Sequence, residues 1–439
     1  MTAWIPHTCD RLEESYFEAR HENGLRILVS PKKFSACYAI LGVEYGSRDR
    51  FAGGAVPMGC AHFLEHKMFE GKDGSGWEDV FAALGAEVNA YTSDDSTAYM
   101  FSATECVPEA LEALITMVGG LTVTSASVSR ERRIIAEEIR MNADDPWEVV
   151  YANMLRGMYA PTKMGGHPVR EEICGTEASI SRITPAILRE THRRFYRPAN
   201  MVLAVAGDIT PDEVWEAVER ALANRPVEEG EDIPPSSRRL AEKPEVYKPS
   251  VTHRMETAKA LFTIGVKHPA PPEDPRELLR TERLMTLLCE TLFSRSGDFY
   301  SSLFESGTVS PGMSYGSSVG RSSLAQTAGS YGYFYLSGEC DDPAAVFSAF
   351  NGYVESVKRN GLDPEALSRA RRTLYADYIY GFDSTESIAS SLMTTAMDGI
   401  GLYELMDLDG SLTEDELWAL FSAVFTDSQY TLSTVYPLE

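Results

Sequence analysis

The stretch His62–His66 (HFLEH) combines two imidazoles and a carboxylate at a spacing that can do metal chemistry. On a helix, residues four apart lie on one face, so His62 and His66 can bind the same ion. Glu65 lies on the same side and can reach a water molecule on that ion. Neutral imidazoles are strong zinc ligands, and a nearby carboxylate can take the proton of such a water. The stretch therefore predicts a hydrolytic zinc site with Glu65 as general base.

Chance does not readily produce this pattern. The chain has eight histidines in 439 residues, and a pair four apart with Glu at one interior position is expected on the order of 0.01 times. The alternative is a helix with two surface or hydrogen-bonded core histidines. Gly59 and Gly71 bound a predicted helix over about residues 59–70, and apolar residues flank the histidines on both sides.

A second helix can supply the third ligand. From Ser129 the chain reads SRERRIIAEEIRMNADD, with no helix breaker until Pro146, which predicts one long helix. Glu137 and Glu138 point about 100° apart on such a helix, so both cannot face the core. Glu138 shares its stripe with the apolar Ile135, and a carboxylate on a buried face is costly unless it is paired or metal-bound. We therefore predict Glu138 as the third ligand.

Glu131 lies two turns before Glu138 on the same stripe, about 10 Å away along the helix axis. That separation is too long for both carboxylates to bind one ion from a straight helix. One interpretation is that Glu131 orients a ligand or the water. The other is an ordinary acidic residue in the first turns of a helix, which the helix dipole favours there.

Several longer stretches are similar to one family of proteins. They are HFLEHKMFEG, GAEVNAYTSDDSTAYMFSA, ERRIIAEEI, GGHPVREEICGTEASISRIT and THRRFYRPANMVLAVAGDI. Together they resemble the pitrilysin family of inverted-motif (HxxEH) zinc peptidases, which includes insulinase and the mitochondrial processing peptidase. The resemblance covers most of residues 20–210 and continues more weakly to the C-terminus. It implies a zinc endopeptidase that acts on peptides or unfolded segments.

The resemblance also implies roles for individual residues. In that family the two histidines and a later glutamate bind zinc, and the glutamate within the motif is the base. These positions correspond to His62, His66, Glu138 and Glu65, in agreement with the assignment made from the residues themselves. The family's second acid, seven residues before the ligand glutamate, corresponds to Glu131 and implies a catalytic role for it.

Members of this family bind extended peptide by adding it as a strand to a sheet edge. Residues 86–92 (AEVNAYT) alternate enough to be that strand, and Asn89 and Ala90 are the predicted substrate contacts. In this interpretation the Asn89 amide meets a carbonyl of the substrate. The alternative is an ordinary half-buried strand with a turn-forming Asn.

The length of 439 residues indicates two domains, and 44% hydrophobic content is typical of a globular protein. Residues 226–250 are dense in Pro and charge, so they form the predicted linker between a zinc-bearing domain (1–225) and a second domain (251–439). The predicted fold class is α+β: two homologous domains, each an antiparallel-rich sheet packed with helices, forming half of a clamshell chamber by resemblance.

The second half echoes the first without its motif. VSRERRIIAEEI, from Val128, is similar to LSRARRTLYADYI, from Leu367, at an offset of 239 residues. This offset sets Asp377 opposite Glu138, and no HxxEH occurs in the second half. We interpret the echo as an internal duplication in which only the first copy carries a metal site.

Charge and cysteine content restrict the partners and the compartment. The net charge is −25, from 40 basic and 65 acidic residues, which argues against nucleic-acid binding. Seven cysteines without paired spacings favour reduced thiols in a cytoplasm. No signal peptide or membrane-spanning segment is evident from the sequence.

The resemblance leaves the substrate site incomplete. Complete family members use a Tyr, often with an Arg seven residues earlier, from another domain. Tyr315 corresponds to that Tyr, but Phe304 stands where the Arg is expected and the spacing is longer. Because family chambers contain four such domains, a homodimer or a heterodimer with a related chain supplying Arg and Tyr is implied. An alternative function is a non-catalytic subunit of a peptidase complex that retains the zinc motif.

Overall fold

The computed structural model describes residues 3–49, 56–71, 76–164, 166–223, 242–322 and 329–438. Strands and helices form two mixed sheets, each packed against helices, which confirms the predicted α+β class. In the described part of the chain, no helix combines the length and the apolar character needed to cross a bilayer.

The first part of the chain contains seven strands and eight helices of at least four residues within the described ranges. They are β1 (Ile5–Cys9), β2 (Glu14–Arg20), β3 (Arg26–Pro31), β4 (Cys37–Val43), α1 (Cys60–Met68), α2 (Trp77–Ala83), β5 (Ala86–Thr92), β6 (Thr97–Ala103), α3 (Val107–Gly119), α4 (Ser125–Asp144), α5 (Pro146–Met158), α6 (Glu177–Ile180), α7 (Pro185–Phe195), β7 (Met201–Gly207) and α8 (Pro211–Leu222).

The second part adds five strands and seven helices within the described ranges. They are β8 (Ser250–Met255), β9 (Ala260–Lys267), α9 (Pro275–Phe293), α10 (Asp298–Glu305), β10 (Ser314–Ser322), β11 (Gly329–Cys340), α11 (Pro343–Asn360), α12 (Pro364–Tyr380), α13 (Thr385–Met397), α14 (Glu404–Gly410), α15 (Glu414–Val424) and β12 (Tyr430–Pro437).

The first sheet has the strand order β1-β2-β3-β7-β4-β6-β5. Its pairs are antiparallel except β3 with β7. The second sheet has the order β10-β11-β9-β12-β8, and its single parallel pair is β12 with β8. Strand β5 ends the first sheet, so one side of its backbone is not paired with another strand of that sheet.

The chain forms two compact units that interleave along the sequence. The first contains residues 1–137, 173–234 and 378–407, and the second contains 138–172, 235–377 and 408–439. In the second unit, α5 packs on β9 and β12, whereas in the first unit α13 packs on β4 and β7. Each sheet is therefore covered by a helix from the other half of the sequence, and two of the boundaries between units fall within α4 and α12.

The helix boundaries agree with the predicted duplication. Helix α4 begins at Ser125 and α12 at Pro364, an offset of 364 − 125 = 239 residues. The following helices, α5 and α13, begin at Pro146 and Thr385, again 385 − 146 = 239 residues apart. The offset found in one sequence echo thus extends to two successive helices.

The predicted linker, residues 226–250, lies outside the described residues as far as residue 241. Its described end is hydrogen-bonded within the second unit: the backbone N–H of Tyr247 donates to the Met158 carbonyl at 3.1 Å, and that of Lys248 to the Gly157 carbonyl at 2.8 Å. The Lys267 ammonium also bonds the Glu242 carboxylate at 2.8 Å. The predicted domain limits, 1–225 and 251–439, stay a prediction.

The elements around the predicted site were anticipated well and the N-terminal strands less well. The predicted helix at 59–70 and the predicted strand at 86–92 correspond to α1 and β5. Before α1, the sequence pattern indicates two strands, whereas the described residues form four. The first two of these four, IPHTC and ESYFEAR, are polar and partly exposed, so they lack a clear apolar alternation.

Candidate metal centre

Helix α1 begins at a backbone position that requires glycine. Gly59 has φ +83°, and a Cβ atom there would lie 2.4 Å from the Cys174 carbonyl oxygen. The Ser179 hydroxyl donates to the carbonyl of Met58, at 2.9 Å. The start of α1 is therefore held against residues 174–179, and the helix buries Phe63 and Leu64 completely.

Helix α4 is held by the same part of the chain. Its start is capped by Thr124 and Ser127, each of whose backbone N–H groups bonds the other's hydroxyl at 3.1 Å. The Arg132 guanidinium donates to the carbonyls of Ile180 and Ile183, at 3.2 and 2.8 Å. Because residues 174–183 contact both helices, they set the position of α1 relative to this part of α4.

The two helices bring together the three predicted metal ligands. One donor atom from each of His62, His66 and Glu138 lies within 4.8 Å of the other two. The two imidazole rings have centroids 4.6 Å apart and an interplanar angle of 69°. Within the described ranges, this is the one group of three such side chains that could hold a metal ion. The sequence prediction of Glu138 as the residue that meets the histidines is thus consistent with the geometry.

The donor set fits zinc. Two imidazole nitrogens and one carboxylate oxygen are ligands of catalytic zinc sites, which bind at about 2.0–2.2 Å and keep a fourth position for water. Tetrahedral coordination at those lengths places the donors about 3.4 Å apart. With separations of at most 4.8 Å, the side chains need to draw together by little more than about 1 Å, which rotation about χ angles provides.

Glu131 bonds one of these histidines rather than joining the group. Its Oε1 atom lies 3.0 Å from Nδ1 of His66. A carboxylate at this distance stabilises the tautomer with the proton on Nδ1, which leaves Nε2 of His66 as the donor atom for a metal. Burial would raise the pKa of Glu131, but the hydrogen bond and charge of His66, with Lys67 and Arg130, hold that pKa below its ordinary value.

Glu65 is bonded by a residue that the sequence analysis did not single out. The Thr92 hydroxyl, at the end of β5, donates to Oε2 of Glu65 at 2.6 Å. Along β5 the side chains of Val88, Ala90 and Thr92 are half-buried, whereas Glu87, Asn89 and Tyr91 are exposed. Strand alternation alone places Thr92 on the face of Ala90. The alternation of the strand can be recognised in the sequence, but it does not predict that this face contacts Glu65.

An open cleft of about 590 Å³ lies beside this centre. The cleft is lined by residues of α1 and α4, by the start of α2, and by the edge strand β5. They include Glu65, His66, Phe69, Val88, Asn89, Ala90, Glu131 and Ile134. The backbone N–H of Ala90, on the edge strand β5, donates to Oδ1 of the exposed Asn89 at 2.8 Å. It therefore points to the free edge, where an extended peptide could bond.

An ion cluster also borders the cleft. Glu70 forms ion pairs with Lys67, whose side chain is buried, and with Arg130, at 2.9 Å from Nη2. Burial lowers the pKa of Lys67, while the charge of Glu131 opposes that shift. The cluster links the end of α1 to α4 one residue before Glu131. No local sequence pattern predicts this cluster.

Tyr315, the predicted substrate-binding tyrosine, lies on β10 in the second unit. Its hydroxyl donates to Oε2 of Glu290 at 2.7 Å, and its ring packs against the core of that unit. Burial, followed by the bond to Glu290, raises the pKa of Tyr315. Phe304, which stands near the position expected for an arginine, is exposed on α10 and stacks on Tyr300. A substrate contact for Tyr315 stays a prediction.

Comparison with known proteins identifies the family. Residues 27–170 match the family model described as insulinase (peptidase family M16), and residues 182–374 match the one described as the peptidase M16 inactive domain. The uncharacterized zinc protease YmfH of Bacillus subtilis is 30% identical over 442 residues, covering 98% of this chain and 99% of the relative. The chain belongs to the M16 peptidase family.

Solved structures of M16 proteins share the fold. An M16-like peptidase from Alicyclobacillus acidocaldarius is 28% identical, with a TM-score of 0.86 over 100% of this chain and 99% of that one. Pitrilysin is 16% identical, with a TM-score of 0.74 over 100% of this chain and 46% of its own. The predicted resemblance to the pitrilysin and insulinase family is thereby confirmed, as is a fold shared with halves of clamshell peptidases.

Proposed function

We propose that this M16 protein is a zinc-dependent endopeptidase that cleaves peptides or unfolded segments. The observation that carries the proposal is the group His62, His66 and Glu138, whose donor atoms lie within 4.8 Å of one another beside the Glu65 carboxylate. All three ligands and the base of the family motif are present. Membership of a family that contains zinc proteases supports the same conclusion.

The side chains divide the chemistry between them. His62, His66 and Glu138 hold the zinc, which when bound supplies a Lewis acid that lowers the pKa of water to about 7 and polarises a carbonyl. Glu65 removes the proton from the attacking water and later gives it to the leaving amine. Glu131 fixes the tautomer of His66 through the 3.0 Å bond to Nδ1.

The edge strand β5 suits an extended substrate. Strand addition satisfies the backbone of the peptide, and its alternate side chains then point into the cleft or away from it. The N–H of Ala90 is the group offered to a substrate carbonyl, and the Asn89 side chain that now accepts from it turns to bond the peptide. Folded proteins present few such free strands, so the substrates are peptides and unfolded segments.

A second subunit completes the proposed chamber. This chain covers 46% of the pitrilysin chain, so it has about half the length of that chain. A homodimer, or a heterodimer with a related chain supplying Arg and Tyr, would provide the other half. We place the protein in the cytoplasm because its seven cysteines are all free thiols, which is typical of a reducing compartment.

Hydrolysis by the purified chain should require zinc. We expect an unstructured fluorogenic peptide to be cleaved, a strong chelator to abolish cleavage, and added zinc to restore it. Size measurement of the same sample identifies the active assembly, and the assay is repeated with related M16 chains if the protein alone is inactive. Cleavage that persists after complete removal of the metal would contradict the proposal.

The alternative is a non-catalytic subunit that retains the motif. The match to a domain described as inactive covers residues 182–374, a range that does not contain His62, His66 or Glu65. A zinc-loaded dimer that binds the unstructured peptide but leaves it intact, alone and with every related chain tested, would establish this alternative instead.

Replacement of Glu131 should weaken zinc binding without removing a ligand. We expect Glu131→Gln to lower zinc affinity by about 10- to 100-fold. Without the carboxylate, the His66 ring is no longer held in one orientation or in the tautomer that carries its proton on Nδ1. Competition with a chromophoric chelator measures the change. Ser129→Ala, on the exposed side of the same helix, is the control and should leave the affinity unchanged. An unaltered affinity in Glu131→Gln would exclude the orienting role.

A further inference from the structure

Beyond the residues expected from the motif, Glu65 has one close neighbour with a clear chemical relationship to it. In the part of the chain that the structure describes, Thr92 Oγ1 is its hydrogen-bond partner, at 2.6 Å from Oε2. A hydroxyl that donates to one carboxylate oxygen leaves the other oxygen available to accept a proton. It also restricts rotation about the last side-chain torsion, which is broad for glutamate when nothing holds it.

Thr92 is itself held in place. It closes β5 opposite Thr97 of β6, and the turn between them is tied by the N–H of Ser93 to the Ser96 carbonyl at 2.8 Å. The turn is tied in addition to the preceding segment, through the N–H of Ser47 to the Ser93 carbonyl at 3.0 Å and an ion pair from Arg48 to Asp94. Its hydroxyl therefore approaches Glu65 from a fixed point.

We propose that Thr92 is a positioning residue, whose hydroxyl holds the Glu65 carboxylate in the orientation that accepts the proton of the attacking water. This inference rests on the proposed function. The same strand offers Ala90 to the substrate two residues earlier, on the same face. A peptide added to β5 would thus bind to the strand that also orients the base. Substrate binding and base orientation therefore both depend on β5.

Thr92→Val tests the inference because it keeps the shape and removes the hydroxyl. A hydrogen bond to a charged group corresponds to about a 10- to 100-fold effect, so we expect kcat to fall by that factor. KM should change by less than about threefold, because the hydroxyl does not bond the substrate. Zinc stoichiometry should be unchanged. Thr92→Ser, which restores a donor, should return kcat to within about threefold of the wild type.

Thr97→Val is the matched control. Thr97 faces Thr92 across the hairpin, is fully buried, and donates its hydroxyl to the Tyr45 carbonyl at 2.8 Å rather than to Glu65. We expect this variant to lose stability more than Thr92→Val does, yet to keep kcat within about threefold of the wild type. It separates the loss of any hydroxyl at this strand end from the loss of the one that bonds Glu65.

Crystal structures of the zinc-loaded wild type and Thr92→Val provide a readout that does not depend on activity. The inference requires the Glu65 carboxylate to have one orientation in the wild type and to rotate or become disordered in the variant. If the carboxylate stays in place, or if Thr92→Ser is as slow as Thr92→Val, the inference is wrong. Absence of hydrolysis by the wild type, both alone and with every related M16 chain tested, would instead reject the proposed function, and the crystallographic comparison would still decide the role of Thr92.

Discussion

Glu65→Gln should abolish peptide hydrolysis while zinc stays bound. The amide has nearly the shape of the carboxylate but cannot take a proton from water. General-base catalysis contributes about 10²- to 10⁴-fold to the rate of such reactions. We therefore expect kcat to fall by about that factor or more. Because Glu65 is not one of the three predicted ligands, the variant should keep one zinc per chain.

Two measurements distinguish loss of the base from a general loss of folding or of zinc binding. Thermal unfolding with and without zinc should show the same stabilisation in Glu65→Gln as in the wild type, since a ligand that binds the folded state raises stability by mass action. Asp79→Asn, which removes a negative charge from an exposed position of α2 that does not line the cleft, should retain full activity. A Glu65→Gln variant that hydrolyses peptide at the wild-type rate would exclude Glu65 as the base.

Glu138→Gln should impair zinc binding itself, because it removes one of the predicted ligands. An uncharged amide is a poorer zinc ligand than a carboxylate, and one of only three protein donors is changed. We expect zinc affinity to fall by more than the about 10- to 100-fold typical of residues that merely orient ligands. Hydrolysis at limiting zinc should be lost accordingly, and the zinc-dependent rise in unfolding temperature should shrink.

Glu137→Gln is the control for this prediction. The two glutamates are adjacent and equally charged, but Glu137 is exposed and points about 100° away around α4. Its replacement should leave zinc affinity within about threefold of the wild type. Equal losses in both variants would indicate a general effect of charge on the helix, and a loss only in Glu137→Gln would indicate that Glu137, not Glu138, is the ligand.

The contrast between these two glutamates shows what periodicity can establish. The position of Glu138 on the stripe of the fully buried Ile135 followed from helix geometry, and the structure brings Glu138 to the histidines. The bond from His66 to Glu131 was open between two interpretations, because which side chain lies opposite a helix face depends on packing. The 3.0 Å contact favours the orienting role.

Other features depend on the meeting of distant segments and could not be predicted. The bond of Thr92 to Glu65 arises from how α1 crosses β5, which no local pattern records. Secondary-structure propensity also does not predict that α5 packs in the second unit and α13 in the first, since both helices have ordinary amphipathic sequences. Even so, the offset of 239 residues between them was already present in the echo of α4 and α12.

The most direct test of the account is the location of bound zinc in crystals of the Glu65→Gln variant, by anomalous diffraction on both sides of the zinc edge. We expect one anomalous peak per chain, about 2.0–2.2 Å from nitrogen atoms of His62 and His66 and from a carboxylate oxygen of Glu138. A peak elsewhere, or no peak at saturating zinc with Glu138 turned away from both imidazoles, would contradict it.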